Sequence, residues 1–171
     1  MLVLGLDPGS RHTGWGLVDC KGSRLSACGW GRLSPLAKAA LPERLLVLAD
    51  GLAELLERYR PEVVAVERVF HGANSRSLVV LAEARGALLV ALARAAVRIV
   101  ELEPARVKSA VAGHGAADKQ QVARMVRLQL GLADERLPAD ASDALAIAIA
   151  GGQAGHPAFG AMPLTDWSGR P

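Results

Sequence analysis

Leu2-Val3-Leu4-Gly5-Leu6-Asp7-Pro8-Gly9-Ser10 decides how this chain is read. Five residues, nearly all apolar, end on an acid and then on Pro-Gly-Ser. The run Leu2–Asp7 has the length and composition of a short buried strand. Asp7-Pro8-Gly9-Ser10 has the composition of a tight turn. The acid therefore stands where a buried strand meets a loop. A second run, Val63–Val66, ends the same way on Glu67. Acids seldom follow strand cores so closely unless they are paired or bind a metal. A third segment adds Asp140 and Asp143, three apart at the start of an alanine-rich helix. That spacing puts both carboxylates on one helical face.

The stretches between these acids give the order of elements. Trp15–Asp19 returns as a second strand, and Lys21-Gly22-Ser23 signals a hairpin into a third strand, Arg24–Leu33. Gly29 and Gly31 within that strand suggest a bulge or a close approach. Pro42 opens a helix whose leucines 45, 48, 52, 55 and 56 keep helical spacing until Pro61. Val63–Glu67 is the fourth strand. His71–Asn74 is a loop, and Asn74 or Ser75 caps the helix that follows. Val97–Glu101 is the fifth strand, and Pro104 begins a short helix ending near Gly113. Asp118 caps another helix that stops at Gly131, and Ala139–Ala150 is the last. The order βββαβαβααα predicts an α/β fold: a five-stranded mixed sheet flanked by helices. With the fourth strand beside the first, Glu67 comes close to Asp7.

Composition narrows the class. The chain has 171 residues, 51% hydrophobic and 22% charged, which suits one globular domain and excludes a disordered chain. Residues 1–151 form that domain, and 152–171, rich in Gly and Pro, are expected to be a mobile or disordered tail. Apolar stretches are interrupted, so none reaches the about 20 residues of a membrane helix. No basic leader precedes the first apolar run, and a cytoplasmic protein is expected. Cys20 and Cys28 have no metal-ligand spacing with a histidine. A net charge of +3 permits nucleic-acid binding without requiring it.

Four carboxylates converging on one pocket repel unless cations neutralise them. An oxygen-only set suits Mg²⁺ or Mn²⁺, and two such ions would clamp a phosphodiester for in-line attack by water. Each acid alone has a simpler explanation. Asp7 can cap its own turn, Asp140 can be a helix N-cap, and Asp143 can answer the helix dipole. Glu67 at a strand end is the hardest to explain in this way, and the joint pattern outweighs the separate ones.

Gly5-Leu6-Asp7-Pro8-Gly9-Ser10-Arg11, with Thr13-Gly14-Trp15-Gly16 behind it, resembles the opening of the RuvC family of Holliday-junction resolvases. Ala65-Val66-Glu67-Arg68-Val69-Phe70 resembles that family's second acidic motif, and Glu83-Ala84-Arg85-Gly86 its central helix. Arg106-Val107-Lys108 and Gly113-His114-Gly115 through Lys119 resemble its basic loop region. Asp140-Ala141-Ser142-Asp143-Ala144-Leu145-Ala146 resembles its last acidic motif. The likeness runs from about residue 1 to 151 and covers all four acids. It implies a ribonuclease H-like fold and a homodimer. The implied activity is symmetric, metal-dependent cutting of two opposing strands of a four-way DNA junction, in recombination and repair. It also implies work beside a junction-migrating complex, RuvA and RuvB. Asp7, Glu67, Asp140 and Asp143 are then the catalytic residues and the metal ligands.

A two-fold dimer fits a four-way junction on symmetry alone, since two identical sites match two opposing strands. The helix from Ser75 to Arg94 carries more Leu and Ala than one sheet face needs, and part of the dimer interface is expected there. Arg11, Arg76, Lys108 and Lys119 are candidate phosphate contacts, with Lys119 near the scissile phosphate. Phe70 would stack on or wedge between bases at the junction centre, or else anchor its loop in the core. Asn74 would touch sugar–phosphate or base edges. Three other readings compete. The sugar-kinase and actin ATPases share an Asp-x-Gly-Ser loop but need two lobes. A related single-domain nuclease acts on ribosomal RNA precursors. A junction-binding protein without catalysis would have little use for four acids that repel DNA.

Overall fold

The computed structural model describes residues 1–9, 11–68, 75–133 and 135–154. Its elements follow the predicted order: β1 (Leu2–Asp7), β2 (Thr13–Lys21), β3 (Arg24–Leu33), α1 (Leu41–Tyr59), β4 (Val63–Glu67), α2 (Ser75–Arg94), β5 (Arg98–Leu102), α3 (Pro104–Ala112), α4 (Lys119–Leu130) and α5 (Ala139–Ala154). One five-stranded sheet runs in the order β3-β2-β1-β4-β5. β1, β2 and β3 pair antiparallel, whereas β1–β4 and β4–β5 are parallel. The chain enters β4 through α1 and β5 through α2, the kind of long connection that parallel neighbours need.

Alternation along the strands divides the core into two layers. Leu4, Leu6, Val64 and Val66 face α1 and α2, packing with Leu48, Leu52, Leu88 and Leu92. Val3, Val63 and Ala65 face the other way, onto α3, α4 and α5. Leu4 and Leu6 are fully buried, and each such leucine contributes roughly 1.5–3 kcal/mol of transfer free energy. The same two-residue period carries Asp7 and Glu67 to the α5 face, because they continue the rows Val3-Gly5 and Val63-Ala65. Leu6 pairs with Val66 across the β1–β4 ladder, so the two acids end adjacent strands side by side.

Helix α5 lies across the middle of the sheet because glycines make room for it. A Cβ at Gly5 would overlap the Ala144 carbonyl, and one at Gly14 would overlap the Asp140 carbonyl. α5 runs on to Ala154, past the Gly151 at which the sequence suggested a stop. Gly151 and Gly152 act as contact points instead, against Ala65 and Cys20. The bulge expected near Gly29 is present as a register shift opposite Leu17 and Val18. Two strands differ in extent from the sequence reading. β2 begins at Thr13 rather than Trp15, and β5 covers Arg98–Leu102.

The caps behave as their chemistry dictates. Gln121 N donates to Asp118 Oδ1 at 2.8 Å, while the Gln121 side chain accepts from Asp118 N at 3.0 Å, closing a capping box on α4. Gly131 ends that helix at φ 68°. Among the described residues, no helix is long and apolar enough to cross a membrane.

Candidate active site

The four predicted acids meet at one end of the sheet. Asp7 and Glu67 come from the C-terminal ends of β1 and β4, the usual functional edge of parallel strands. Asp140 comes from the first turn of α5, set down over Gly14, and Asp143 follows three residues on, on the same face. Gly14 is the β2 partner of Asp7, so the glycine that admits α5 also lies next to the first acid. Thr13, fully buried, fixes the turn after Asp7: its Oγ1 donates to the Gly9 carbonyl at 3.1 Å and accepts from Gly9 N at 3.4 Å.

Electrostatics record how close the acids are. The Asp7 carboxyl is pushed up to about 7, first by burial and then by the charges of Asp143, Glu67 and Asp140, with Lys119 acting against them. Glu67 is also raised, by burial and by Asp143, while Lys108 and Lys119 pull it down. Lys119 Nζ bonds Asp143 Oδ2 at 2.7 Å and is itself raised by that bond. Arg32 Nη1 lies 3.7 Å from Asp140 Oδ2. Two of the four acids thus have a basic partner, and the other two press on each other.

A second network supports Glu67 from behind. Arg85 of α2 donates through Nε to the Glu67 carbonyl oxygen at 3.2 Å. Its Nη2 bonds Glu101 on β5, whose other oxygen accepts from Arg68 Nε at 3.3 Å. Arg85 is mostly covered, with its side chain 18% exposed, so this fork acts in a shielded setting where charge-assisted bonds hold geometry well.

The donor chemistry fits a hard divalent cation, since all four acids offer carboxylate oxygens. Asp7 is raised by burial and then by the three neighbouring acids, and a cation would offset both. No three carboxylates among the described residues are drawn together as a preassembled ligand shell.

Of the predicted nucleic-acid contacts, Lys108 and Lys119 lie within electrostatic reach of the acids. Lys119 is bonded to Asp143, with its side chain still largely exposed. Arg11 is exposed beside the β1–β2 turn, and Arg76 is exposed in the first turn of α2. Phe70 and Asn74 lie outside the described residues. Arg32, Arg85, Glu101 and Thr13 had no predicted role. Each shows its relevance only through a partner distant in sequence. An open groove of about 830 Å³ runs between α1 and α2, lined by Asp50, Glu57, Arg60, Glu62, Arg94 and Arg98. It lies at the opposite end of the sheet from the acids, by the N-terminal ends of β4 and β5.

Comparison with known proteins agrees with this geometry. The family model described as crossover junction endodeoxyribonuclease RuvC matches residues 3–151. The crossover junction endodeoxyribonuclease RuvC of Chloroflexus aggregans is 48% identical over 149 residues, covering 87% of this chain and 91% of its own. That of Syntrophomonas wolfei is 42% identical over 149 residues, covering 87% of each. The structure of T. thermophilus RuvC in complex with a Holliday junction substrate superposes with a TM-score of 0.82 at 38% identity, covering 88% of this chain and 92% of that one. The yeast mitochondrial Holliday junction resolvase Ydc2, at 16% identity and a TM-score of 0.63, shares the fold, with 88% and 78% coverage. Sheet order, acid placement and overall likeness lead to one conclusion: the chain belongs to the RuvC family of crossover junction endodeoxyribonucleases.

Proposed function

We propose that this chain resolves four-way DNA (Holliday) junctions, hydrolysing phosphodiesters in two opposing strands during homologous recombination and repair. The main support is the four-acid cluster at the C-terminal edge of the sheet, in a chain 48% identical to a named crossover junction endodeoxyribonuclease. Nucleases of this family depend on divalent metal. Here the ions would be Mg²⁺ or Mn²⁺, two per site, held by Asp7, Glu67, Asp140 and Asp143. When bound, they would activate water and neutralise charge on the scissile phosphate.

The chain's own residues have distinct tasks. Burial and the neighbouring acids raise the Asp7 carboxyl to about 7, so a cation held there would favour its ionised form. Glu67 keeps its position through the Arg85 bond to its carbonyl. Lys119, beside Asp143, is placed to stabilise negative charge developing on phosphate oxygens. Lys108, Arg11 and Arg76 bind backbone phosphates, Phe70 wedges at the junction centre, and Asn74 contacts sugar–phosphate or base edges.

The working unit is a homodimer in one nuclease domain per chain. On α2, Val79 and Val90 are 57% and 55% exposed, and Gly86 stands between them at helical spacing. A Cβ at Gly86 would meet nothing within 4 Å, so a second helix can cross closely there. The protein acts in the cytoplasm beside the junction-migration proteins RuvA and RuvB.

The test is an immobile four-way junction of varied core sequence, incubated with purified protein and Mg²⁺ or Mn²⁺. Paired symmetric nicks, absent with chelator and on plain duplex, are expected. Binding without cuts in either metal would reduce the chain to a junction-binding protein, and no binding at all would overturn the proposal.

A further inference from the structure

Arg32 lies in line with the acids. Asp7 on β1 pairs with Gly14 on β2, and Gly14 pairs with Arg32 on β3. The three form one cross-strand row whose members share a face, with Arg32 two strand spacings, about 9.6 Å, from Asp7. The middle position has no side chain, so the first turn of α5 settles there. Asp140 thereby lies between Asp7 and the Arg32 guanidinium.

The Arg32–Asp140 pair is loose. Its 3.7 Å separation exceeds the roughly 2.7–2.9 Å of a direct charge-assisted bond. The two side chains are 46% and 36% exposed, and exposed pairs of this kind break at little cost. β3 is the edge strand of the sheet, so Arg32 is approachable from outside. Lys108 and Lys119 approach the acids from α3 and α4, on the Glu67 side. Arg32 is a cation on the opposite flank. Its planar fork suits bidentate contact with phosphate as well as with carboxylate.

We infer that Arg32 is a displaceable counter-ion that becomes a substrate contact. In the free protein it holds the Asp140 carboxylate. Once a divalent cation takes that carboxylate, the guanidinium turns to a backbone phosphate flanking the scissile one. The inference rests on the nuclease reading above and adds a residue to it.

The experiment uses the full chain and the variants Arg32→Gln and Arg32→Lys. Mn²⁺ binding to the protein alone is measured by calorimetry. Junction binding is measured by fluorescence anisotropy over a range of salt with Ca²⁺ as the divalent ion, and the junction is checked uncut on a denaturing gel. Arg32→Gln should bind Mn²⁺ about two- to fivefold tighter, because a competing charge is gone. The same variant should bind the junction more weakly, with a log–log salt slope smaller by about 0.9. Arg32→Lys keeps the charge and should keep the wild-type Mn²⁺ affinity and salt slope, with somewhat weaker junction binding for want of the bidentate fork. A merely structural role for Arg32 predicts the opposite for the metal, because a slack Asp140 would loosen Mn²⁺. Looser or unchanged Mn²⁺ binding, or an unchanged salt slope, would overturn the inference. A wild-type chain that binds no junction would overturn the nuclease reading and this inference together. If the wild type binds and the variant matches it, only the inference fails.

Discussion

Asp7→Asn should stabilise the protein in chelator at pH 8, although it removes the central acid of the site. The Asp7 carboxyl titrates near 7 in the fold, against 3.8 for an ordinary aspartate. The difference of about 3 units, at about 1.4 kcal/mol each, sets an upper bound of about 4 kcal/mol on the cost of ionising Asp7 in the fold. Partial solvent access lowers this to about 2 kcal/mol. The sign follows from proton binding. Below pH 4 both folded and unfolded chains hold the proton, and no penalty exists. Between about 4 and 7 only the folded chain holds it, so stability falls as pH rises. Above 7 the penalty is complete. At pH 8 Asp7→Asn should therefore raise Tm by about 4–8 °C, and near pH 4 the two proteins should converge. Added Mg²⁺ should narrow the gap at pH 8 by stabilising the wild type more than the variant. Scanning calorimetry in EDTA at both pH values, followed by a Mg²⁺ titration, makes the measurement. A variant less stable than wild type at pH 8 without metal would refute the reasoning, since Asp7 would then be held by favourable contacts.

Three further perturbations test other parts of the site. Gly14→Ala puts a methyl into the Asp140 carbonyl; displacing α5 should cost about 1–3 kcal/mol of stability and slow cleavage by about 10²-fold, read by thermal melts and single-turnover assays. Lys119→Met removes the 2.7 Å bond to Asp143 and should slow cleavage about 10²–10³-fold, while junction binding measured by anisotropy changes far less; equal losses in both would make Lys119 a simple phosphate contact. Arg85→Lys keeps a cation near Glu101 but loses the Nε bond to the Glu67 carbonyl, so Mn²⁺ binding should weaken about tenfold with little change in Tm; unchanged metal affinity would mean that the end of β4 is held by other contacts.

Much of this site is legible in the sequence, and the reason is periodic. The two-residue alternation in Leu2–Asp7 and Val63–Glu67 fixes which face each terminal acid joins, and the three-residue step from Asp140 to Asp143 does the same on a helix. Parallel pairing of β1 with β4 then needs only the crossover through α1. Cap chemistry was equally plain at Asp118 and Gly131. The Arg32–Asp140 and Arg85–Glu101 pairs were not readable. Arg32 reaches the site only through the β2–β3 register, and a bulge changes that register midway along the strands. Arg85 acts through a backbone carbonyl, which leaves no trace in side-chain pattern. Gly151 and Gly152 looked like a helix stop because a glycine that admits a neighbouring backbone and one that ends a helix are the same letter.

The placement of α5 has a consequence for the order in which the protein comes into being. β1 and β4 emerge early in synthesis with Asp7 and Glu67, while Asp140 and Asp143 lie about 130 residues after Asp7. At about 5–20 residues per second, the two halves of the acid set are made roughly ten seconds apart. Until α5 docks on Gly5 and Gly14, the sheet lacks its central cover as well as half of its acids. Contacts so distant along the chain form late in folding. A nascent or truncated chain would thus carry an incomplete set of acids, and the four come together only when the fold is complete.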